Sequence, residues 1–233
     1  KAFLSSMLKI EPRAQFDYNS MNSYMLAVIV KKAAGMGVMD YLRPRLFEPL
    51  GIQNVFWEKS PEEVEKGGWG MYILPEDELK LGQLLLDRGM WQGKRILSEE
   101  WIDMATQRHS QAPASLGNYD YGFQLWVGRE QRVWLFNGLF GQNVFIYPDT
   151  GFVVVTSAGN SESFQTGALF DILERAFAKD RAFPPFLPRD GAQYMALLKT
   201  LEDLRRPAQR SRLPLDALKE HMGVYQTNDK RAA

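Results

Sequence analysis

The chain of 233 residues has no cysteine and only two histidines, His109 and His221. The lack of cysteine excludes disulfide bonds, thiolate zinc sites and a cysteine nucleophile. The two histidines are far apart and lack ligand spacing, which argues against a histidine-based triad and a multi-histidine metal site. We therefore expect neither a metal nor another cofactor.

The sequence also lacks a charge excess and a long apolar run. Lysine plus arginine and aspartate plus glutamate number 28 each, so charge gives no reason to expect a nucleic-acid or anionic-membrane partner. No window approaches the roughly 18 apolar residues that a membrane span needs. With 45% hydrophobic and 24% charged residues, the composition is that of a globular chain. The chain begins at Lys1 without a signal-peptide pattern and ends abruptly, so we expect a fragment of a longer protein.

A cluster of small polar residues around Tyr18 precedes an apolar run over residues 25–30. This pattern is typical of a helix N-terminus, and it predicts Ser20 or Asn22 as the cap. A tyrosine just outside the cap would lie at the positive end of a helix dipole, which favours the phenolate. The alternative is that Tyr18 is only a half-buried aromatic residue.

The remaining pattern predicts helices followed by an antiparallel sheet, which makes the fold class α+β. The predicted helices cover residues 20–34 (buried on most sides), 38–47, 75–86, 98–106, 163–178 and 191–204 (Met195, Leu198 and Leu201 inward). The predicted strands cover residues 121–127, 133–136, 143–147 and 152–158, with a turn at 148–151. A glycine cluster at residues 67–70 lacks the Gly-Lys-Ser/Thr of a phosphate-binding loop.

The predicted organisation has three parts. Residues 1–180 form the main domain, and residues 181–206 are a proline-rich linker followed by a helix. Residues 207–233 are the start of a truncated C-terminal module or a tail. A short segment in that tail, residues 223–227, begins like a strand but has no partner in the sequence.

Seven short blocks occur in a fixed order at residues 16–20, 48–51, 75–82, 93–101, 121–126, 138–142 and 147–148. Together they resemble the serine hydrolases of the class C β-lactamase and penicillin-binding-protein type, which include esterases and the amide hydrolase that cleaves nylon oligomers. The likeness covers roughly residues 10 to 180. It implies a β-lactamase/transpeptidase-like fold, here incomplete at its N-terminal side.

The resemblance also implies site residues, because the family uses a Ser-x-x-Lys motif, a tyrosine motif and a strand motif of the Lys/His-Thr-Gly type. Tyr18 matches the tyrosine that acts as base and proton shuttle. The residues implied to bind substrate are Ser20, Asn22, Phe136, Asn137, Gly138 and Leu139. The backbone N–H of Leu139 takes the oxyanion-hole position.

The nucleophile motif does not match by position. Ser6 and Lys9 form the sole Ser-x-x-Lys in the chain, but Lys9 precedes Tyr18 by only nine residues. In the family this motif lies many tens of residues before the tyrosine. We therefore interpret Ser6 and Lys9 as a chance match and expect the nucleophile upstream of Lys1. The alternative, a real site at Ser6 and Lys9, predicts that this chain alone reacts with a fluorophosphonate.

Departures from the family motifs bear on the substrate. Phe136 stands where relatives that bind carboxylate-bearing β-lactams have a cation, so an anionic group there would be desolvated and unpaired. Ser20 replaces an asparagine whose amide can hold a substrate carbonyl. Both changes favour a neutral ester or amide substrate over a penicillin. The partner that the resemblance implies is a small-molecule ester, amide or peptide-like substrate. The alternative is a non-catalytic ligand-binding or regulatory protein on the same scaffold.

Two further expectations follow from the resemblance. It favours a secreted or cell-envelope location, although the sequence itself leaves the compartment undetermined. If the N-terminal strands of the family sheet are absent, the strand from Phe152 to Ala158 becomes an exposed apolar edge. Such an edge pairs readily with another chain, so we expect self-association there.

Overall fold

Helices come first along the chain, and a meandering antiparallel sheet follows them. The computed structural model describes residues 5, 7, 11, 14–159, 168–177 and 190–205. The helices are α1 (Ser20–Ala34), α2 (Val38–Leu42, continued by a π-helical turn, Arg43–Phe47), α3 (Pro75–Leu86), α4 (Glu99–Ala105), α5 (Ala168–Phe177) and α6 (Gly191–Arg205). The strands are β1 (Phe56–Trp57), β2 (Met71–Tyr72), β3 (Met90–Trp91), β4 (Lys94–Arg95), β5 (Tyr119–Tyr121), β6 (Trp126–Gly128), β7 (Trp134–Gly138), β8 (Gln142–Tyr147) and β9 (Phe152–Thr156). The α+β class is confirmed.

Helix α1 covers the predicted residues 20–34, but its N-cap is neither of the predicted residues. Asn19 has an extended backbone, and its side chain accepts a hydrogen bond from the backbone N–H of Met21. The cap prediction of Ser20 or Asn22 is therefore wrong, because an Asn directly before the first helical residue already satisfies a free N–H. The helix ends at Gly35, as predicted, where a left-handed glycine donates to the carbonyl of Lys31.

The predicted burial of α1 on most sides is also wrong. Ala27 is the one fully buried residue of the helix, whereas Leu26 and Ile29 are exposed. The helix contacts the rest of the protein through one side only, and its exposed side carries Asn22 together with these two residues.

Strands β5 to β9 form a five-stranded sheet in sequence order, with every neighbouring pair antiparallel. One face carries a cluster of side chains that packs beneath α3, including Val127, Trp134 and Ile146. The opposite face carries Trp126, Leu135 and other residues that pack against α5. We call these the α3 face and the Tyr18 face. Burying a large apolar side chain contributes roughly 1.5–3 kcal/mol, so a slip of one residue that exchanged the two faces would be costly.

The predicted strand over residues 121–127 is instead a β-hairpin. Residues 122–125 form its turn, in which the N–H of Gly122 donates to the carbonyl of Leu125 and Gln124 has a left-handed backbone (φ 61°). The alternating apolar pattern continued through the turn because Leu125 is buried in the core, although it belongs to neither strand.

Because the sheet is a meander, its turns alternate between two ends. The turns at residues 122–125 and 139–141 lie at one end, which we call the site end. The turns at residues 129–133 and 148–151 lie at the other, which we call the far end.

The chain divides into two units, residues 1–183 and 184–233. In the second unit, α6 exposes Met195, Leu198 and Leu201, so their predicted inward orientation is wrong for the residues described. Among those residues, no helix is long and apolar enough to cross a membrane. The Ser6–Lys9 motif, the linker and the tail beyond residue 205 lie outside the described residues.

Candidate active site

Tyr18 lies in a cluster of aromatic rings directly before α1. Its ring stacks on Trp126 with the centroids 5.4 Å apart and meets the edge of Tyr121 at 5.9 Å. Phe16 packs against the same two residues, at 5.8 and 5.3 Å. The Tyr18 side chain nevertheless remains about 40% exposed, so a substrate can reach it.

This environment changes the acid–base character of Tyr18. Burial among the rings raises the pKa of Tyr18 above its ordinary value of 10.0. Desolvation disfavours the charged form, so it opposes the preference for the phenolate that is expected at the helix terminus. At neutral pH the group is a phenol, which can donate a proton to a departing group.

Two contacts hold the start of α1, one of them to the site end of the sheet. The Ser23 hydroxyl is 2.6 Å from Oε1 of Gln124 in the hairpin turn, as the donor of a hydrogen bond. On the other side, Gly68 lies directly against the carbonyl of Ser20, where any Cβ would collide with the backbone. The glycine cluster thus allows a close approach of two chain segments, which is one of the standard uses of glycine.

The strand motif divides between the two faces of the sheet. Leu135 is the register partner of Trp126, and Asn137 lies two residues further along β7 on the same face. Asn137 is therefore on the Tyr18 face, one residue pair nearer the site end. Phe136 points the other way and packs in the cluster beneath α3, so the structure does not bring its side chain to Tyr18.

Gly138 and Leu139 lead into the turn at the site end. Gly138 pairs with Gln142 at the end of β7, and the turn Leu139–Gly141 follows. The side chains of Leu139 and Phe140 are 48% and 45% exposed. Phe140 has a left-handed backbone (φ 62°, ψ 18°), an arrangement that costs a non-glycine residue about 1–2 kcal/mol.

Tyr18 and Asn137 thus lie on the same face of the sheet, and Gly138 and Leu139 lead into the turn at its site end. Ser20 opens α1 on the side that faces Gly68, whereas Asn22 is on the exposed side of the helix.

Sequence reasoning did not identify the aromatic residues that hold Tyr18. Trp126 and Tyr121 are register partners, and together with Phe16 they form the surface on which its ring rests. The two aromatic residues on either side of a short turn are the signal that could have identified this surface. The alternating pattern predicts a continuous strand there, and this hides the turn. Among the described residues, no group of three or more histidine, aspartate or glutamate side chains is placed to hold a metal ion.

The family model described as Beta-lactamase matches residues 1–173. Two curated relatives are similar in sequence. The 6-aminohexanoate-dimer hydrolase of Paenarthrobacter ureafaciens is 23% identical over 190 residues, covering 73% of this chain and 47% of that protein. Penicillin-binding protein 4* of Bacillus subtilis (strain 168) is 27% identical over 146 residues, covering 50% of this chain and 32% of that protein. The chain thus spans about half or less of the length of either relative.

Solved structures show the same fold. Simvastatin synthase (LovD) from Aspergillus terreus superposes with a TM-score of 0.57 at 17% identity, covering 72% of this chain and 54% of that chain. At this identity the likeness shows the β-lactamase/transpeptidase-like fold and not the activity.

Proposed function

The chain belongs to the β-lactamase family, and on that premise we propose that it is part of a serine hydrolase that acts on a small neutral ester or amide. In this proposal Tyr18 is the base and proton shuttle, and the serine nucleophile lies outside this chain. The observation that carries the proposal is the position of Tyr18, which is held before α1 at the end of the sheet where Asn137 and the Leu139 turn also lie.

The proposed reaction is acyl transfer. The serine attacks the substrate carbonyl, and the N–H of Leu139 donates a hydrogen bond to the oxyanion that forms. Tyr18 takes the proton from the serine and returns it to the leaving group. Because burial raises the pKa of Tyr18, the resting group is the neutral phenol, and proton abstraction from the serine requires a cation in the complete site that lowers this pKa.

The surroundings of Tyr18 support a neutral substrate. The rings of Phe16 and Tyr121 are partly exposed beside Tyr18, and Leu139 and Phe140 add exposed apolar side chains at the same end. Position 136 offers no cation, since it holds a phenylalanine that faces α3. A carboxylate near the strand motif would therefore lose its hydration without gaining a partner from that position.

Two assays on the full-length protein test this proposal. A fluorophosphonate probe is expected to label it covalently, and p-nitrophenyl acetate is expected to be hydrolysed much faster than nitrocefin. Comparable turnover of the two substrates would contradict the neutral-substrate assignment. Labelling of the present chain alone would instead support a site at Ser6 and Lys9.

A second candidate is a ligand-binding or regulatory protein on the same scaffold. The observation that favours it is the aromatic environment of Tyr18, which stabilises the neutral phenol and resembles a surface that binds apolar groups. The two candidates differ in the labelling experiment. A full-length protein that takes no fluorophosphonate but binds apolar esters without turnover would be a binder.

We also propose that the chain self-associates through β9. This strand is the outermost of the described sheet, and all five of its residues are only partly buried. At the opposite edge, β5 is covered, because Tyr121 forms a bridge with Ser110. Sedimentation of this chain is expected to show dimers or larger species that a Val154→Lys substitution weakens; a monodisperse monomer would contradict the proposal.

A further inference from the structure

A row of three polar side chains crosses the sheet at the site end. Asn143 on β8 is the register partner of both Asn137 on β7 and Thr156 on β9, so the three lie side by side on the Tyr18 face. The next row on this face, Leu135, Phe145 and Val154, is entirely apolar. The polar row therefore interrupts an apolar surface at the position where β7 turns into β8.

The hydrogen bonds of this row have only one consistent direction. Oγ1 of Thr156 is 3.0 Å from the carbonyl oxygen of Gly141 and 3.0 Å from Nδ2 of Asn143. The carbonyl can only accept, so the single hydroxyl proton of Thr156 goes to Gly141. Thr156 must then accept from Asn143, which assigns the amide nitrogen of Asn143 to this contact and turns its Oδ1 away.

Keeping this arrangement has a cost that an aliphatic residue would avoid. Asn143 is only 1% exposed, and its Oδ1 has no hydrogen-bond partner among the described residues. A buried acceptor without a donor is destabilising, whereas a leucine of similar size would leave no such group. The benefit must therefore lie in what the amide holds in place, which is the chain from Asn143 through Thr156 to Gly141.

Gly141 is the last residue of the turn Leu139–Gly141, and this turn is strained at Phe140. Gln142, the residue after this turn, is itself held by two hydrogen bonds. The Ser157 hydroxyl donates to its Oε1 (2.9 Å), and its Nε2 donates to the carbonyl of Ala158. A turn that contains an unfavourable backbone conformation persists only when its surroundings over-determine it. These contacts supply that constraint.

We propose that Asn143 and Thr156 are positioning residues that hold the Leu139–Gly141 turn and thereby aim the N–H of Leu139 at the substrate. The part that concerns the substrate rests on the proposed function, whereas the constraint on the turn does not. Neither side chain touches the substrate, and both act through the carbonyl of Gly141.

The test replaces Thr156 with valine, which keeps the shape and removes the hydroxyl, and with serine, which keeps the hydroxyl. Thr150→Val is the matched control, because Thr150 lies in the turn at the far end of the same hairpin and also donates to a backbone carbonyl, that of Phe177 (3.3 Å). Native-state hydrogen exchange of the backbone N–H groups of residues 138–142 is measured in this chain. Hydrolysis of p-nitrophenyl acetate is measured in the full-length protein.

Thr156→Val is expected to raise exchange in the turn about tenfold and to lower kcat by about tenfold or more, with KM changed less than threefold. Thr156→Ser should restore both quantities, and Thr150→Val should change neither. An Asn143→Leu variant is expected to reproduce the exchange effect even if its packing changes the overall stability. Unchanged exchange in a folded Thr156→Val protein overturns the proposal. Faster exchange in a protein without esterase activity leaves the constraint in place and contradicts only the proposed function.

Discussion

The two turns that flank β8 are built on opposite principles. The far-end turn, Pro148 to Gly151, has a sequence suited to its shape: its one left-handed residue is a glycine (φ 73°), whose N–H donates to the carbonyl of Tyr147 at 2.9 Å. The site-end turn, Leu139–Gly141, places the left-handed conformation on Phe140 as well as on Gly141. It is held by side chains of the next two strands.

This difference separates local stability from function. A turn that serves only to reverse the chain satisfies its own backbone preferences, as the far-end turn does. Strain that is kept at one end of a sheet, beside the half-exposed Tyr18, favours the hypothesis that geometry matters more than local stability there. Substitutions at the site end should therefore affect activity, and substitutions at the far end should affect stability.

The largest expected effect is that of Tyr18→Phe. Removing the hydroxyl should lower kcat of the full-length protein for p-nitrophenyl acetate by about 10²–10⁴-fold, the usual range for a general acid or base. The free energy of unfolding in urea should change by less than about 1 kcal/mol, because the ring contacts remain. Tyr24→Phe is the control on α1. The hydroxyl of Tyr24 lies 2.9 Å from Oγ of Ser60 and is not part of the aromatic cluster. Equal activity losses in the two variants would contradict the assignment.

Much of the fold could be predicted from the sequence, because it depends on local signals. Helix α1 stops at a glycine, α3 begins with a proline and acidic residues, and α4 begins at the Ser98 cap. The alternating strands with turn residues at 148–151 imply an antiparallel order. These features were confirmed. The hairpin at residues 122–125 was missed, since the buried Leu125 extended the alternating pattern through a turn that depends on long-range packing.

The candidate site was less predictable, because it depends on how distant segments meet. Tyr18 was identified from its neighbours in sequence and from the family resemblance, but the rise of its pKa follows from burial beside rings more than 100 positions away. The orientation of Phe136 follows from the register of β7, which a sequence motif does not contain. The role proposed for Asn143 follows from a hydrogen-bond direction that only coordinates can show.

An intermediate effect is expected at a residue that belongs to neither end. Glu78 lies one helical turn before Gly82, the residue of α3 that packs against the α3 face of the sheet. Burial raises the pKa of Glu78 from 4.5 to about 7. The folded state therefore binds this proton more tightly than the unfolded state. The contribution of the protonated Glu78 carboxyl to the free energy of unfolding is fully present below pH about 4.5 and is lost as the pH rises to about 7. The loss is at most about 2 kcal/mol after allowance for the partial exposure of the side chain.

Glu78→Gln should remove this loss, which urea unfolding at pH 4.5 and pH 7.5 would measure. Glu76→Gln is the matched control, since Glu76 is exposed in the same helical turn. Activity should be unaffected by either change, because Glu78 lies on the face away from Tyr18. A shift in the pH dependence of kcat with Glu78→Gln would show that the α3 face takes part in the reaction, and the contrast between the two ends would then be incomplete.

The smallest effects come from exchanging the backbone requirements of the two turns. At Gly151 there is open space for a side chain, so Gly151→Ala should cost only the left-handed conformation, about 1 kcal/mol of the free energy of unfolding. Phe140→Gly should have the opposite sign and stabilise by up to about 1 kcal/mol, because it removes the same penalty from an exposed residue. The effects on activity should be the reverse of the effects on stability. Gly151→Ala leaves kcat unchanged, whereas Phe140→Gly lowers kcat as the turn loosens. If Phe140→Gly were stabilising and fully active, the strain at the site end would have no function and the contrast between the turns would be one of sequence alone.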